Sequence, residues 1–278
     1  MAHVWLGTAG WSYLPDWAGA FYPAGTTASD ALARYFEAFR FVEVDSTFYA
    51  APVASTLDRW AEIMPATGFR VSFKAPKALV QETGLRPPDV PFGHFCASLL
   101  DRFGERLARV VVQMPPGFIR NPTNEVSLRA FVRQWAEHVP LAIELRHPSW
   151  HVAPVAQILA ELDVTWVSND LRDVPDLDRA AHSTSRSVAY LRLIGQHDGI
   201  AKDRIQRPQD QARAWWVGQV VAMAEAGVRH IYIVVNNHYE GHAPGTLRTL
   251  AAEFRRVASP AVDLVESRGW PDGQVSLF

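Results

Sequence analysis

The chain has 278 residues, a formal net charge of −2 and 48% hydrophobic residues, which is typical of a globular protein. No apolar stretch approaches the roughly 20 residues of a membrane-spanning helix, and residues 1–5 do not resemble the start of a signal peptide. The near-neutral net charge does not indicate a protein that binds nucleic acid through a broad basic surface. The single cysteine, Cys96, fits a reducing cytoplasmic compartment and is expected to be buried.

Short runs rich in β-branched residues alternate with amphipathic segments along the chain. Strands are predicted at 4–10, 41–48, 70–75, 109–114, 141–146, 164–169, 188–193 and 230–236. Helices are predicted at 28–39, 55–64, 92–107, 127–138, 152–162, 209–226 and 245–258, with none in the crossover 171–187. Eight such units favour one α/β domain, a (β/α)8 TIM-type barrel over 1–258, followed by a short C-terminal tail over 259–278.

Polar residues are predicted to gather at one end of this barrel. Side chains along a strand alternate between the two faces, so Glu43, Asp45 and Thr47 share the inward face of the second strand. By the same parity, the other inward polar residues are Ser72, Lys74, Gln113, Glu144, Arg146, Arg192 and Asn236. One interpretation is an internal salt-bridge network that fills the barrel, with pairs such as Glu144–Arg146 or Asp45–Lys74. A mixed-sign ring at the functional end favours a ligand site instead.

Several short motifs follow one another in an order that resembles a known family. They are Gly7-Thr8-Ala9-Gly10-Trp11-Ser12-Tyr13, Trp17, Phe21-Tyr22-Pro23, Val42-Glu43-Val44-Asp45-Ser46-Thr47-Phe48-Tyr49, Pro52, Phe73-Lys74, Gln113-Met114-Pro115-Pro116, Glu144-Leu145-Arg146-His147, Trp150, Arg192-Leu193-Ile194-Gly195 and Asn236-Asn237. The chain is similar in these motifs to the YecE-like family, the domain-of-unknown-function family 72. The resemblance implies a TIM-type barrel without an established activity.

Two positions depart from the family pattern, and others add candidates for ligand binding. Asp45 stands where the family more usually has Asn, and Ile194 stands where His is common, so any role of that His is lost in this chain. The motif residues Tyr13, Tyr49 and His147 join the candidates that bind a ligand at the mouth. The glycines Gly7 and Gly10, at the end of the first strand, are interpreted as room for close packing.

An anionic, phosphate-bearing substrate fits the predicted mouth best. The loop 195–208 after the seventh strand carries Lys202, Arg204 and Arg207 above Arg192. Asn236 and Asn237 add hydrogen-bond donors. The alternative interpretation of this loop is a solvent-exposed basic segment without a ligand. Glu144 or Asp45 would act as general base, with Lys74 as electrophile or proton donor. This predicts a hydrolase or phosphodiesterase, with nucleic-acid metabolism as one setting. A non-catalytic barrel that binds an anion or a protein partner, and an enzyme of small phosphorylated metabolites, remain as alternatives.

A divalent metal is compatible with the mouth but not favoured, and no other cofactor is indicated. Oxygen and imidazole ligands occur near the strand ends, at Asp45, Glu144, His147, Asp170 and His238. No spacing among them matches an established metal motif, so no metal ligand is assigned.

The last five residues carry a separate signal. The segment Gln274-Val275-Ser276-Leu277-Phe278 resembles the Gln-Leu-Ser/Asp-Leu-Phe peptide by which bacterial proteins dock on the DNA polymerase sliding clamp. An exposed Leu277–Phe278 pair would enter an apolar pocket, and Gln274 would set the register by hydrogen bonds. The alternative is that Leu277 and Phe278 fold back onto the barrel.

Overall fold

Eight parallel strands close into a barrel in the computed structural model, which describes residues 1–86, 90–170, 184–196 and 199–266. The strands are β1 (Ala2–Ala9), β2 (Phe41–Val44), β3 (Arg70–Lys74), β4 (Leu107–Gln113), β5 (Leu141–Glu144), β6 (Thr165–Asn169), β7 (Val188–Leu193) and β8 (His230–Val235). They follow one another in chain order around the wall, and parallel pairing of β1 with β2 and with β8 closes it. The predicted TIM-type barrel is confirmed.

The helices pack around the outside of the wall. They are α1 (Leu14–Trp17), α2 (Ala31–Ala38), α3 (Ala54–Ile63), α4 (Lys77–Val80), α5 (Val90–Phe103), α6 (Pro122–Trp135), α7 (Ala153–Glu161), α8 (Asp210–Glu225) and α9 (Ala243–Val257). Helix α9, for example, buries Leu247, Leu250 and Phe254 at intervals of three and four residues, so one face packs on the strands. None of the helices in the described ranges is long and apolar enough to cross a membrane. Cys96 is buried in α5, as predicted.

The barrel interior is apolar toward the amino ends of the strands, in its lower part, and polar at their carboxyl ends. An inner cluster that includes Trp5, Phe41, Tyr190 and Tyr232 fills the lower part, where the rings of Phe41 and Tyr232 lie 5.0 Å apart. A second apolar cluster lies between the strands and the helices. Because the lower interior is packed with large rings, the polar side chains at the carboxyl ends of the strands form the floor of the mouth.

Among the element boundaries that differ from the sequence prediction, two have an identifiable local cause. Strand β2 ends at Val44 and residues Ser46–Phe48 form a 3-10 helix, because the Thr47 hydroxyl donates to the carbonyl oxygens of Val44 (2.9 Å) and Lys74 (2.6 Å). The prediction that Thr47 continues the inward face of this strand is therefore wrong. Helix α6 begins earlier than predicted because the Asn121 side chain accepts a hydrogen bond from the Asn124 amide (2.9 Å) and caps the helix.

A ninth strand completes one edge of β1. Strand β9 (Val262–Val265) lies in the segment predicted as tail and pairs parallel with the first half of β1, from Ala2 opposite Val262 to Trp5 opposite Val265. Strand β2 takes the second half of the same edge. The predicted clamp-binding residues Gln274, Leu277 and Phe278 lie outside the described residues, as does 171–183 of the sixth crossover.

Candidate functional site at the mouth of the barrel

Arg192 lies at the centre of the predicted ring. Its guanidinium is buried near the end of β7 and donates from Nη2 to Oε1 of Glu43 (2.8 Å). Its Nη1 contacts Oε2 of Glu144 and lies 3.2 Å from Oε1 of Gln113. The acceptors come from β2, β4 and β5, so one arginine ties four strands together. The predicted gathering of Glu43, Gln113, Glu144 and Arg192 at one end of the barrel is confirmed.

The two buried glutamates are occupied on both oxygens. Oε2 of Glu43 accepts a hydrogen bond from the Tyr190 hydroxyl (2.9 Å), and Oε1 of Glu144 accepts one from Nε of Arg146 (2.7 Å). Burial raises the pKa of Glu144, but the guanidiniums of Arg192 and Arg146 outweigh it and hold this pKa at about 2. An ionised carboxylate clamped by two guanidiniums is a weak base, so the geometry disfavours Glu144 in that role and assigns it to the internal network.

Lys74 has a different environment in the same ring. Its side chain ends β3, is 9% exposed, and holds Nζ 3.8 Å from the centroid of the Phe48 ring. In the part of the chain that the structure describes, Nζ has no ion-pair partner and no hydrogen-bond acceptor. Burial and the guanidinium of Arg192 lower the pKa of Lys74 to about 8, against the opposing carboxylates of Glu144 and Glu43. The face of the Phe48 side chain compensates only part of the hydration that the Lys74 ammonium loses on burial.

Asp45 follows β2 and faces the same space. Burial and the neighbouring carboxylate of Glu43 raise its pKa, and the ammonium of Lys74 lowers it. The two side chains form no ion pair among the described residues, so the Asp45–Lys74 pair of the network interpretation is wrong. Gly10 adopts φ +79°, and a Cβ there would lie 3.0 Å from Oδ1 of Asp45. The interpretation of Gly10 as room for close packing is confirmed.

The rim carries cations and a tyrosine above this floor. Nζ of Lys202 lies 5.2 Å from the ring centroid of Tyr13, and burial and Asp45 raise the pKa of Tyr13. The Arg146 side chain is 21% exposed and reaches the rim from the inner network. Arg204 points to solvent and pairs with Asp203 (2.8 Å), and Tyr49 is 78% exposed. Lys202 and Arg146 therefore bring positive charge to the rim of the mouth.

Three other predicted ligand-binding residues hold loops in place. Nδ1 of His147 accepts from the Ser149 amide (3.1 Å) and caps the 3-10 helix Pro148–Trp150. Oδ1 of Asn236 accepts from the His238 amide (3.0 Å). Oδ1 of Asn237 accepts from Nε1 of Trp17 (3.2 Å) and from the Ala243 amide (3.0 Å). Their contribution to ligand binding stays a prediction.

The candidate metal ligands do not come together. Within the described ranges, no group of three or more His, Cys, Asp and Glu side chains is arranged to hold a metal ion. Asp170 instead accepts from the amides of Ile194 (2.6 Å) and Gly195 (2.9 Å) and so fixes the start of the loop after β7.

Sequence reasoning missed Tyr190, which donates to Glu43, and it missed the roles of two residues that it had named. Asp170, a candidate metal ligand, supports the loop, and Phe48, part of a family motif, lies under the ammonium of Lys74. Tyr190 precedes Arg192 by two positions on the inward face of β7, so strand parity carried the signal.

The fold and this ring define a TIM-type barrel protein with a charged mouth at the carboxyl ends of its strands. The chain belongs to the family described as "Protein of unknown function DUF72", whose model matches residues 5–268. It is 29% identical over 294 residues to the UPF0759 protein YunF of Bacillus subtilis, covering 94% of this chain and 99% of that protein. It is 26% identical over 147 residues to the UPF0759 protein YecE of Escherichia coli, covering 53% of this chain and 50% of that protein.

Solved structures of the same family share the architecture. A DUF72 family protein from Thermotoga maritima superposes with a TM-score of 0.71 at 23% identity, covering 92% of this chain and 98% of that one. One from Enterococcus faecalis gives a TM-score of 0.66 at 19% identity with the same coverage. The family resemblance predicted from the motifs is confirmed.

Proposed function

We propose that the chain is an enzyme that binds a phosphate-bearing or other anionic substrate at the mouth of the barrel. The observation that carries this proposal is the ammonium of Lys74, which is buried without an ion-pair partner among the described residues. A buried charge without a partner is costly, so its retention calls for a function. A bound anion would supply the missing counter-charge.

The charge balance of the ring supports the same proposal. Glu43 and Glu144 are matched by Arg192 and Arg146 in direct ion pairs, so the inner network is neutral. The remaining ionisable groups of the ring are Lys74 and Asp45, and the pKa of Asp45 is raised. An approaching anion raises the pKa of Asp45 further and favours its protonated form.

Lys74 and Asp45 have complementary chemical roles in this proposal. Lys74 contacts the anion and stabilises negative charge that develops on it, and protonated Asp45 donates to a leaving oxygen. Arg146 and Lys202 at the rim attract the substrate. The reaction class that fits is phosphoester hydrolysis.

Anion binding is tested by calorimetry with inorganic phosphate and nucleoside monophosphates. Lys74→Met is expected to weaken binding at least about tenfold, equivalent to about 1.4 kcal/mol. Lys77→Met is the matched control, because Lys77 is exposed and lies three positions further along the chain. Equal affinity of the wild type and Lys74→Met would contradict the proposal.

A non-catalytic barrel is the second candidate, and the locked state of Glu144 favours it. With both oxygens of Glu144 in ion pairs and its pKa at about 2, Asp45 and Lys74 are the titratable members of the ring that no ion pair among the described residues holds. A screen with phosphomonoesters and phosphodiesters separates the candidates. Turnover by the wild type that falls in Asp45→Asn supports an enzyme, whereas tight binding without turnover supports a binding protein.

The nucleic-acid setting of this proposal depends on residues 274–278. Docking on the sliding clamp would bring the mouth to DNA, in the cytoplasm, where the single-cysteine composition also fits. Removal of 274–278 is expected to abolish co-purification with the clamp, and Ser276→Ala is expected to leave it nearly unchanged because the peptide accepts either Ser or Asp at that position. Unchanged co-purification after the deletion would show that the peptide does not dock.

A further inference from the structure

The side-chain nitrogen of Lys74 lies against an aromatic ring and near two guanidiniums. The face of the Phe48 ring lies 3.8 Å from Nζ, and the guanidiniums of Arg192 and Arg146 oppose its protonation. The nearby carboxylates of Glu43 and Glu144 favour protonation, but both are already paired with those guanidiniums. In the described part of the chain no acceptor holds the Lys74 nitrogen. A lysine next to other cations in a partly apolar site is a typical activated amine.

From these contacts we propose that Lys74 forms an imine with the aldehyde or ketone group of an anionic substrate. The inference rests on the proposed anion site, because Arg146 and Lys202 would hold the charged group of the substrate while Lys74 reaches its carbonyl carbon. It keeps that anion site, takes imine formation in place of phosphoester hydrolysis as the reaction of Lys74 and Asp45, and narrows the substrate class to phosphate-bearing carbonyl compounds.

The step balances without an oxidant or reductant. The neutral amine attacks the carbonyl carbon, a C–N bond forms, and one amine proton moves to the oxygen to give a carbinolamine. Protonated Asp45 then donates to the hydroxyl group, which leaves as water while the C=N bond forms. The remaining nitrogen proton returns to the Asp45 carboxylate. One carbonyl compound and one amine give one imine and one water, and Asp45 ends in its starting state.

The chain contains its own controls because it has only three lysines. Lys74 is in the ring, Lys77 is exposed, and Lys202 lies against Tyr13 at the rim. Wild-type protein is treated near neutral pH with glycolaldehyde phosphate and sodium cyanoborohydride, which reduces imines to stable amines. Labelling of each lysine is followed with time by peptide mass spectrometry.

We expect Lys74 to be labelled at least about tenfold faster than Lys77 or Lys202, because a lower pKa leaves more free amine at neutral pH. Lys74→Arg is expected to lose this fast label while Lys77→Arg keeps it. Labelling of all three lysines within about a factor of two, or preferential labelling of Lys202 or Lys77, would overturn the inference.

Ethyl phosphate, which has no carbonyl group, separates this inference from the proposed anion site. If ethyl phosphate binds by calorimetry and slows labelling of Lys74 by glycolaldehyde phosphate, both proposals are supported. If it binds but the three lysines react at equal rates, the imine is overturned and the anion site is retained. If it does not bind and unphosphorylated glycolaldehyde labels Lys74 as fast, the anionic substrate class is overturned instead.

Discussion

Glu144 and Lys74 lie in one ring and are both buried, and the pKa of each is lowered there, with opposite effects on charge. Glu144 contacts two guanidiniums directly, and these hold its pKa at about 2 despite burial. The same guanidiniums act with burial on Lys74 and lower its pKa to about 8. The ring therefore keeps Glu144 in its charged form and gives Lys74 a larger uncharged fraction at physiological pH than an ordinary lysine has.

Glu144→Gln is expected to lower the free energy of unfolding at pH 7 by roughly 3 to 5 kcal/mol, because it removes one partner from a buried ion-pair network. The ordinary pKa of 4.5 applies to the unfolded chain and about 2 to the folded one. The contribution of the Glu144 carboxylate to the free energy of unfolding is thus present above pH 4.5 and is lost as the pH falls towards 2. Urea unfolding across this range measures both effects.

The control for this change is Glu37→Gln, in an exposed pair with Arg34. We expect it to alter stability by no more than about 0.5 kcal/mol. If Glu144→Gln were as mild as this control, the network would not stabilise the barrel.

Lys74→Met is expected to stabilise the free protein, by about 1 to 3 kcal/mol at pH 7. The charged amine disfavours the folded state at pH values below its folded pKa of about 8. That cost diminishes as the pH rises from about 8 towards the ordinary 10.5, so the advantage of the variant should shrink over the same range. Unfolding of Lys77→Met in parallel serves as the reference. A less stable Lys74→Met would mean that Lys74 is retained for the fold.

At the scale of the elements, strand alternation predicted which polar side chains gather at the mouth but not which of them pair. Parity brought Lys74, Gln113 and Glu144 to one ring because a regular parallel strand repeats every two residues. Alternation contains no information about which side chains meet across the barrel, so the contact between Arg192 and Glu43, 149 positions apart, came only from the structure. Strand alternation also gave a wrong result at Thr47, where a hydrogen bond from the hydroxyl group to the Lys74 carbonyl oxygen accompanies a 3-10 helix.

The approach of β1 to β2 depends on a residue without a side chain. A Cβ on Gly7 would lie 2.3 Å from the carbonyl oxygen of Phe41, which is backbone and cannot rotate away. The interpretation of Gly7 as room for close packing is confirmed.

Gly7→Ala is expected to lower the free energy of unfolding by roughly 3 kcal/mol, because β1 and β2 must separate to admit the methyl group. Gly218→Ala in α8 is the matched control. A Cβ there meets nothing within 4 Å, so the change should stabilise the helix by roughly 0.5 to 1 kcal/mol. Urea unfolding measures both, and wild-type stability of Gly7→Ala would contradict the close approach.

At the scale of the whole molecule, a second buried network joins the last helices to the loops above the mouth. The guanidinium of Arg213 on α8 contacts Glu240, Asp210 and, at 3.3 Å, Glu253 of α9. The Glu240 carbonyl oxygen accepts from the amides of Gln206 (2.8 Å) and Arg207 (3.1 Å). The loop that carries Lys202 is therefore attached to the loop after β8.

Arg213→Met is expected to cost about 3 to 5 kcal/mol of stability, because the fully buried carboxylate of Glu240 loses its guanidinium. Amide hydrogen exchange over 204–207 should speed up in the same variant. Adding Glu240→Gln should recover part of the loss, since the neutral amide needs no counter-charge. If the double variant were less stable than the wild type by the sum of the two single-variant effects, the two side chains would not be coupled.

Strand β9 has a consequence for how the chain folds as it is synthesised. Strand β1 can pair with β2 soon after both are synthesised, but its pairing with β8 and β9 requires almost the whole chain. The hydrogen bond between His3 and Asp263, for example, joins residues 260 positions apart. At a translation rate of roughly 5 to 20 residues per second, the delay between the synthesis of β1 and that of β9 is on the order of 10 to 50 s. Closure of the barrel is thus a late event, and until then the edge that β9 covers is open to other chains emerging from the same message.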